Sequence, residues 1–289
     1  MTTVPVSFAT DTAVEPVGDG VWGADLSSRW SSLVGIHGGY VAAIAARAIG
    51  EAIGGPSRPL RTLSAQFLRS PKPGPVEVEV TIERHGHSLT FASARVTQAG
   101  RTVVLVRSTS ARAGGAAGEA LVFDHHRARP RPAVPPEGWQ PFGTGGLVRH
   151  FEEFEVVMDP DVAPFSGGGA AWLAAWIRPL RDEAIDDAWL VAACDVLPPA
   201  TFSRTTGPTR AATLDYTVHL TVAAPAALVP PGGWVYLDCR APLAADGMAV
   251  EDGALWGPDG TVLAVSRQTR LADAKVPSAF AGGTGGQAG

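Results

Sequence analysis

The stretch DAWLVAACDVLPPATFSRTTGPTRAATLDYTVHL, residues 187–220, decides how this chain is read. Its first part, Trp189-Leu190-Val191-Ala192-Ala193-Cys194, is apolar on every side and predicts a buried helix over 187–197. Asp195 stands at the end of that run, before Val196-Leu197 and the stop signal Pro198-Pro199. A carboxylate at the edge of an apolar helix is costly unless something solvates or pairs it. The residues alone leave two readings: Asp195 caps backbone or pairs with an arginine, or it is held there for chemistry. A polar connection then leads into a strand-like segment, 213–222.

Working outward, the second half reads as strands at 151–158, 171–177, 233–240, 249–256 and 261–271. A period of two places Trp172 and Trp176 on one face. The last two strands turn at Gly257-Pro258-Asp259-Gly260. The first half follows the same plan. Gly35-Ile36-His37-Gly38-Gly39-Tyr40 leads into VAAIAARAIGEAIG, whose small and aliphatic residues predict a helix buried around most of its circumference. Gly54-Gly55-Pro56 ends it, and strands follow at 60–68, 76–83, 89–98 and 101–110. In Val76-Glu77-Val78-Glu79-Val80 every second residue is apolar, so one face is buried and the other carries acids. The endings correspond as well, TVVLVRSTSA against TVLAVSRQTRLA. A helix followed by an antiparallel run of strands, present twice, predicts an α+β fold in which each sheet wraps over its helix.

The expected organisation is a first unit over 20–112, a Pro/Gly/Arg-rich linker over 113–147, a second unit over 148–273 and a flexible tail over 274–289. The linker includes the run RARPRPAVPPEGWQP, 127–141, and residues 1–19 read as a loosely held arm. At 289 residues with 45% apolar and 18% charged residues, the chain has material for a substantial core. The net charge of −5 and the scattered basic residues do not suit nucleic acid. No apolar run approaches the roughly 20 residues that span a bilayer, and no signal peptide is visible, so a cytoplasmic protein is expected. Cys194 and Cys239 lack CxxC spacing and read as buried free thiols.

Taken together, GIHGGYVAA, FLRSPKPGPVEVEV, the RHGHS turn, CDVLPPA, TLDYTVHL, EDGALWGPDGTVLA and SRQTRL stand in an order that resembles the double-hotdog acyl-CoA thioesterases. These are the TesB-like, or acyl-CoA thioesterase II, family, and the matching features run from about residue 21 to 271. The resemblance implies a double hotdog: two tandem units, each a long central helix wrapped by an antiparallel sheet. It also implies a hydrolytic water held by an Asp, a Thr and a Gln, which fall here on Asp195, Thr213 and Gln268.

The chemistry is coherent, because a thioester carbonyl needs a positioned water and a base for its proton. Amides at the start of the glycine-led helix, Gly38 and Gly39, are oxyanion candidates, and His37 is a candidate for lining the substrate pocket. Asp215, two residues beyond Thr213, is expected on that residue's face, as a second acid or a structural partner. Arg69, Lys72 and Arg84 contact CoA phosphates or are simply solvated. His85, His87, His125 and His126 lack partners at metal-ligand spacing, so no metal and no cofactor are expected. Cys194 reads as apolar filler rather than a nucleophile. The expected partner is the acyl-CoA substrate, with the chain a monomer or a homo-oligomer. Two other readings stay open: an acyl-thioester binding protein without turnover, and a hotdog hydratase or dehydratase, which would need a His beside Asp195.

Overall fold

Alternating strands and two apolar helices account for nearly all the regular structure of the computed structural model, which describes residues 6–113, 132–146 and 148–273. The first half contains α1 (Phe8–Asp11), β1 (Glu15–Gly18), β2 (Val21–Leu26), α2 (Gly38–Ala52), β3 (Leu60–Phe67), β4 (Gly74–His85), β5 (Leu89–Gln98) and β6 (Arg101–Ala111). The second contains β7 (Phe154–Met158), β8 (Trp172–Pro179), α3 (Asp187–Ala193), β9 (Arg210–Leu220), β10 (Val235–Ala245), β11 (Met248–Trp256) and β12 (Val262–Asp273).

Among the described residues the strands form one antiparallel sheet in the order β1-β2-β4-β5-β6-β3-β9-β12-β11-β10-β8-β7. The halves join at β3 and β9, where Leu63 faces Val218 and Ala65 faces Tyr216. This is the α+β double-hotdog architecture. Alternation explains the faces: Val76, Val78 and Val80 point into the core while Glu77 and Glu79 stay in water. The run from Tyr40 to Ala46 in α2 is buried on every side, as its composition requires. Gly54 and Gly55, at φ 96° and 77°, let the chain leave that helix in a left-handed conformation.

Three local expectations are corrected. The second helix stops at Ala193 with Cys194 as its cap, four residues short of 197. Asp195 and Val196 instead make tighter bonds to Ala192 and Ala193, because Pro198 disfavours helical backbone before it. The described part of the N-terminal arm, 6–19, is docked, not loose. Phe8 is buried against Trp30 with ring centroids 5.6 Å apart, and Asp11 bonds Arg29 and accepts from Trp30 Nε1 at 2.8 Å. The hairpin between β10 and β11 runs on to Asp246-Gly247, whose positive φ values of 51° and 75° match those of Ala99-Gly100.

The described part of the linker, 132–146, packs onto the second half. Trp139 meets Trp176 edge-on at 5.3 Å, and the Phe142 amide donates to Val156. Trp139 covers an apolar layer of the second half that includes Trp176, Tyr236 and Trp256, whereas Phe142 packs against the main core. The rest of 113–147, apart from residue 113, and the tail 274–289 lie outside the described residues.

Candidate active site

Asp195 sits where the start of α2 meets the end of α3. Only glycine allows that approach. A Cβ on Gly39 would lie 2.9 Å from the Ala192 carbonyl oxygen, from Asp195 Cβ and from His37 Cε1. The absence of a side chain lets the Gly39 amide donate to Asp195 Oδ2 at 2.8 Å. An anion at a helix N-terminus is favoured by the orphan amides and the helix dipole.

Two more donors and a histidine nitrogen surround the same carboxylate. Gln268 Nε2 and Arg270 Nη2 reach Oδ1 at 2.9 and 3.1 Å, and His37 Nε2 lies 3.4 Å from Oδ2. Gln268 is locked in turn, because its Oε1 accepts from Thr213 Oγ1 at 3.0 Å. Asp195, Thr213 and Gln268 are therefore brought together. Asp195 and Thr213 line the cavity, whereas Gln268 bridges them from behind. Thr213 reaches this face through a β-bulge. Tyr216 pairs with Gln268 and Asp215 with Thr269, but Thr213 pairs with Arg270 two strand positions on. The register shift separates Asp215 from Thr213's face, so the expectation that they share one is corrected.

Of the two oxyanion candidates, Gly39 already spends its amide on Asp195. Gly38 lines the cavity, and its N–H, in the first turn of α2, has no hydrogen bond to a described residue. His37 caps α2. Its Nδ1 accepts from the Tyr40 amide at 3.2 Å, so its Nε2 carries the proton and donates to the Asp195 carbonyl at 2.9 Å. Burial pushes the His37 pKa below its ordinary value, with Asp195 opposing. His150 stacks on His37 with ring centroids 4.3 Å apart, and burial followed by His37 holds it well below the ordinary value. The buried Cys194 thiol is pushed up to about 12, first by burial and then by Asp195, which removes it as a nucleophile at neutral pH.

Sequence reasoning missed Arg270 and Glu251. Arg270 is 8% exposed and bonds Asp195, Thr213 Oγ1 (2.8 Å) and Glu251 Oε1 (3.2 Å from Nε). Burial works against its charge, but Glu251 and Asp195 outweigh that and hold its pKa above the ordinary value. The available signal was parity: Arg270 follows Gln268 by two positions on a strand and so shares its inward face.

A cavity of about 380 Å³ opens beside Asp195, with Phe67, Phe142, Phe151, Phe165 and Phe202 among its walls. Arg69 lies on the cavity wall and is exposed, while Lys72, Arg84, His85 and His87 are exposed and do not line it. His125 and His126 lie outside the described residues. Among the described residues no cluster of His, Cys, Asp or Glu is arranged to hold a metal, and no helix is long and apolar enough to cross a membrane.

Residues 26–112 match the profile of the acyl-CoA thioesterase N-terminal domain, and 125–272 match that of the C-terminal domain. The chain is 27% identical to the uncharacterized protein Rv0499 of Mycobacterium tuberculosis over 88% of its own length and 92% of that protein. Its fold is similar to that of a hot dog protein of unknown function from Alicyclobacillus acidocaldarius, with TM-score 0.79, 21% identity and coverage of 93% and 98% of the two chains. It is also similar to an acyl-CoA thioesterase II, TesB2, from Mycobacterium marinum, with TM-score 0.70, 19% identity and coverage of 95% and 100%.

Proposed function

The chain belongs to the acyl-CoA thioesterase family, whose two domain profiles together cover most of it, and from that premise we propose that it hydrolyses an acyl-CoA to a carboxylic acid and free CoA. One observation carries the residue assignment: the continuous hydrogen-bond chain from Thr213 through Gln268 to Asp195, at 3.0 and 2.9 Å, beside an apolar cavity.

In this reading the apolar walls take the acyl chain and bring the thioester carbonyl to the start of α2. Water bonds Asp195 and the remaining lone pair of the Thr213 hydroxyl. Asp195 takes a proton as the water oxygen forms its bond to the carbonyl carbon. The Gly38 amide donates to the oxyanion. Collapse of the tetrahedral intermediate breaks the C–S bond, and the departing thiolate takes the proton back from Asp195. Gln268 acts through the other two by fixing their directions.

A panel of acyl-CoAs with a thiol-reactive dye tests this. Wild type releases thiol, and Asp195→Asn loses at least about a hundredfold in kcat, the lower end of what a positioned base contributes. Equal background rates in both, with acyl-CoA still bound, would favour the binding-protein reading. The hydratase reading gains one fact, since the structure supplies the histidine beside Asp195 that the sequence did not reveal. Both nitrogens of His37 are already engaged, which counts against a proton shuttle there. Water addition to crotonyl-CoA without thiol release would support the hydratase.

A further inference from the structure

Arg270 brings a full positive charge to the carboxylate that hydrolysis needs as a base. A guanidinium alone beside a carboxylate closes on it as a two-pronged fork and takes both oxygens. That is not the arrangement here. Glu251, from the neighbouring strand β11, accepts from Nε on its Oε1 at 3.2 Å and has Nη2 at an ion-pair distance of 3.1 Å from the same oxygen, so the Nε edge of the guanidinium faces Glu251. Only Nη2 reaches Asp195, and Nη1 goes to Thr213. The second oxygen of Glu251 accepts from the Ala200 amide at 2.5 Å, on the turn that follows Asp195. All three charged residues are buried, at 7%, 3% and 8% exposure for Asp195, Glu251 and Arg270.

We propose that Glu251 and Arg270 are positioning residues that set the charge felt by Asp195: Glu251 holds the arginine's fork away from Asp195, which leaves that carboxylate able to accept a proton from water. This rests on the thioesterase reading of the same site. Arg270 alone would over-stabilise the ionised acid and make it a poor base. Without Arg270, two carboxylates would be buried together with no cation between them. The pair thus holds Asp195 between two opposing influences.

The other titratable groups around Asp195 do not compete for this role. His37 faces it from α2 with His150 stacked behind, and burial holds both below their ordinary value. Cys194 adjoins it, Tyr216 lies beneath on β9, and Cys239 sits on β10 near Glu251; burial pushes all three up. Near neutral pH these five are uncharged, so the triad supplies the charge of the site.

The test is kcat against pH for wild type, Glu251→Gln and Arg270→Met. Removing Glu251's charge gives Arg270 wholly to Asp195. The acid limb of the profile then moves to lower pH, and the plateau falls about tenfold as the base weakens. In Arg270→Met, Glu251 faces Asp195 with no cation between, and the acid limb moves to higher pH. The double variant returns toward the wild-type limb. Opposite displacements are expected; limbs that stay put, or move the same way, overturn the proposal and leave a packing role. If Arg270→Met does not fold, the direction of the Glu251→Gln shift decides alone.

If wild type hydrolyses no acyl-CoA, the function reading fails and thermal unfolding judges the pair. Arg270→Met then shows a melting deficit at about pH 8 that shrinks toward pH 5 as a carboxylate takes up a proton, and Glu251→Gln in the same chain removes most of it. A deficit equal at both pH values overturns the charge role.

Discussion

The amide of Gly39 donates to Asp195 Oδ2 at 2.8 Å across 156 residues of sequence. One bond thus joins the first turn of α2 to the residues that follow α3, and it makes the site a product of both halves of the chain. Its geometry depends on a missing side chain. In Gly39→Ala, a Cβ with three neighbours at 2.9 Å cannot be absorbed without moving Asp195, since one of them is backbone. The expected cost is about 1–3 kcal/mol of stability together with loss of thiol release. Gly50, on the same helix, has nothing within 4 Å of a built Cβ. Gly50→Ala should therefore gain about 0.5–1 kcal/mol from helix propensity alone. Urea unfolding of the two variants checks the pair, and equal effects would contradict it.

Thr213→Val keeps the shape and removes the hydroxyl. Gln268 Oε1 loses its donor and Arg270 Nη1 its acceptor. A lost buried hydrogen bond is worth about 1–3 kcal/mol, which predicts a fall in kcat of about tenfold to a hundredfold with KM nearly unchanged. A rise in KM at constant kcat would place Thr213 in substrate binding instead.

Asp187, in the first turn of α3, accepts from the Leu60 amide at 2.8 Å and ties the helix to β3. Burial raises its pKa from 3.8 to about 6, with the Leu60 bond opposing. An acid raised on folding contributes stability below its unfolded pKa, and that contribution is lost as pH rises through the folded one. Asp187→Asn keeps an acceptor for Leu60 and removes the charge. It should gain about 1 kcal/mol at pH 7–8, after discounting for partial exposure, and nothing near pH 4. Melting temperatures at the two pH values read the difference directly.

Phe8 anchors the N-terminal arm against Trp30, which itself stacks on Tyr40 at 4.6 Å. Phe8→Ala should release the arm at a cost of about 3 kcal/mol, seen as roughly hundredfold faster proteolysis within the first 14 residues. Unchanged cleavage would mean that the polar bonds of Asp11 hold the arm alone.

Much of the architecture was legible because it is local. The Val76-Glu77-Val78-Glu79-Val80 alternation, the hairpin at Ala99-Gly100 and the Ala-rich helix each follow from a few adjacent residues, and β5 was predicted at its observed bounds. The arm was misread because Phe8 and Asp11 are ordered by Trp30 and Arg29, which no local pattern connects to them. Helix α3 was read too long, since its apolar run continues past the point where Pro198 forces the backbone to turn.

Residues 187–220 by themselves determined that an acid stands at the end of a buried apolar run, with a threonine on the next strand. Periodicity is a property of neighbouring residues, so a sequence states it directly. Only the tertiary structure decided what the acid touches: Gly39 and His37 from the other half, and Gln268 and Arg270 from the last strand. The bulge that turns Thr213 inward and Asp215 away is likewise a matter of register between β9 and β12. Register and helix approach are set by packing over the whole sheet, where a shift of one residue exchanges the faces, and no local pattern encodes that choice.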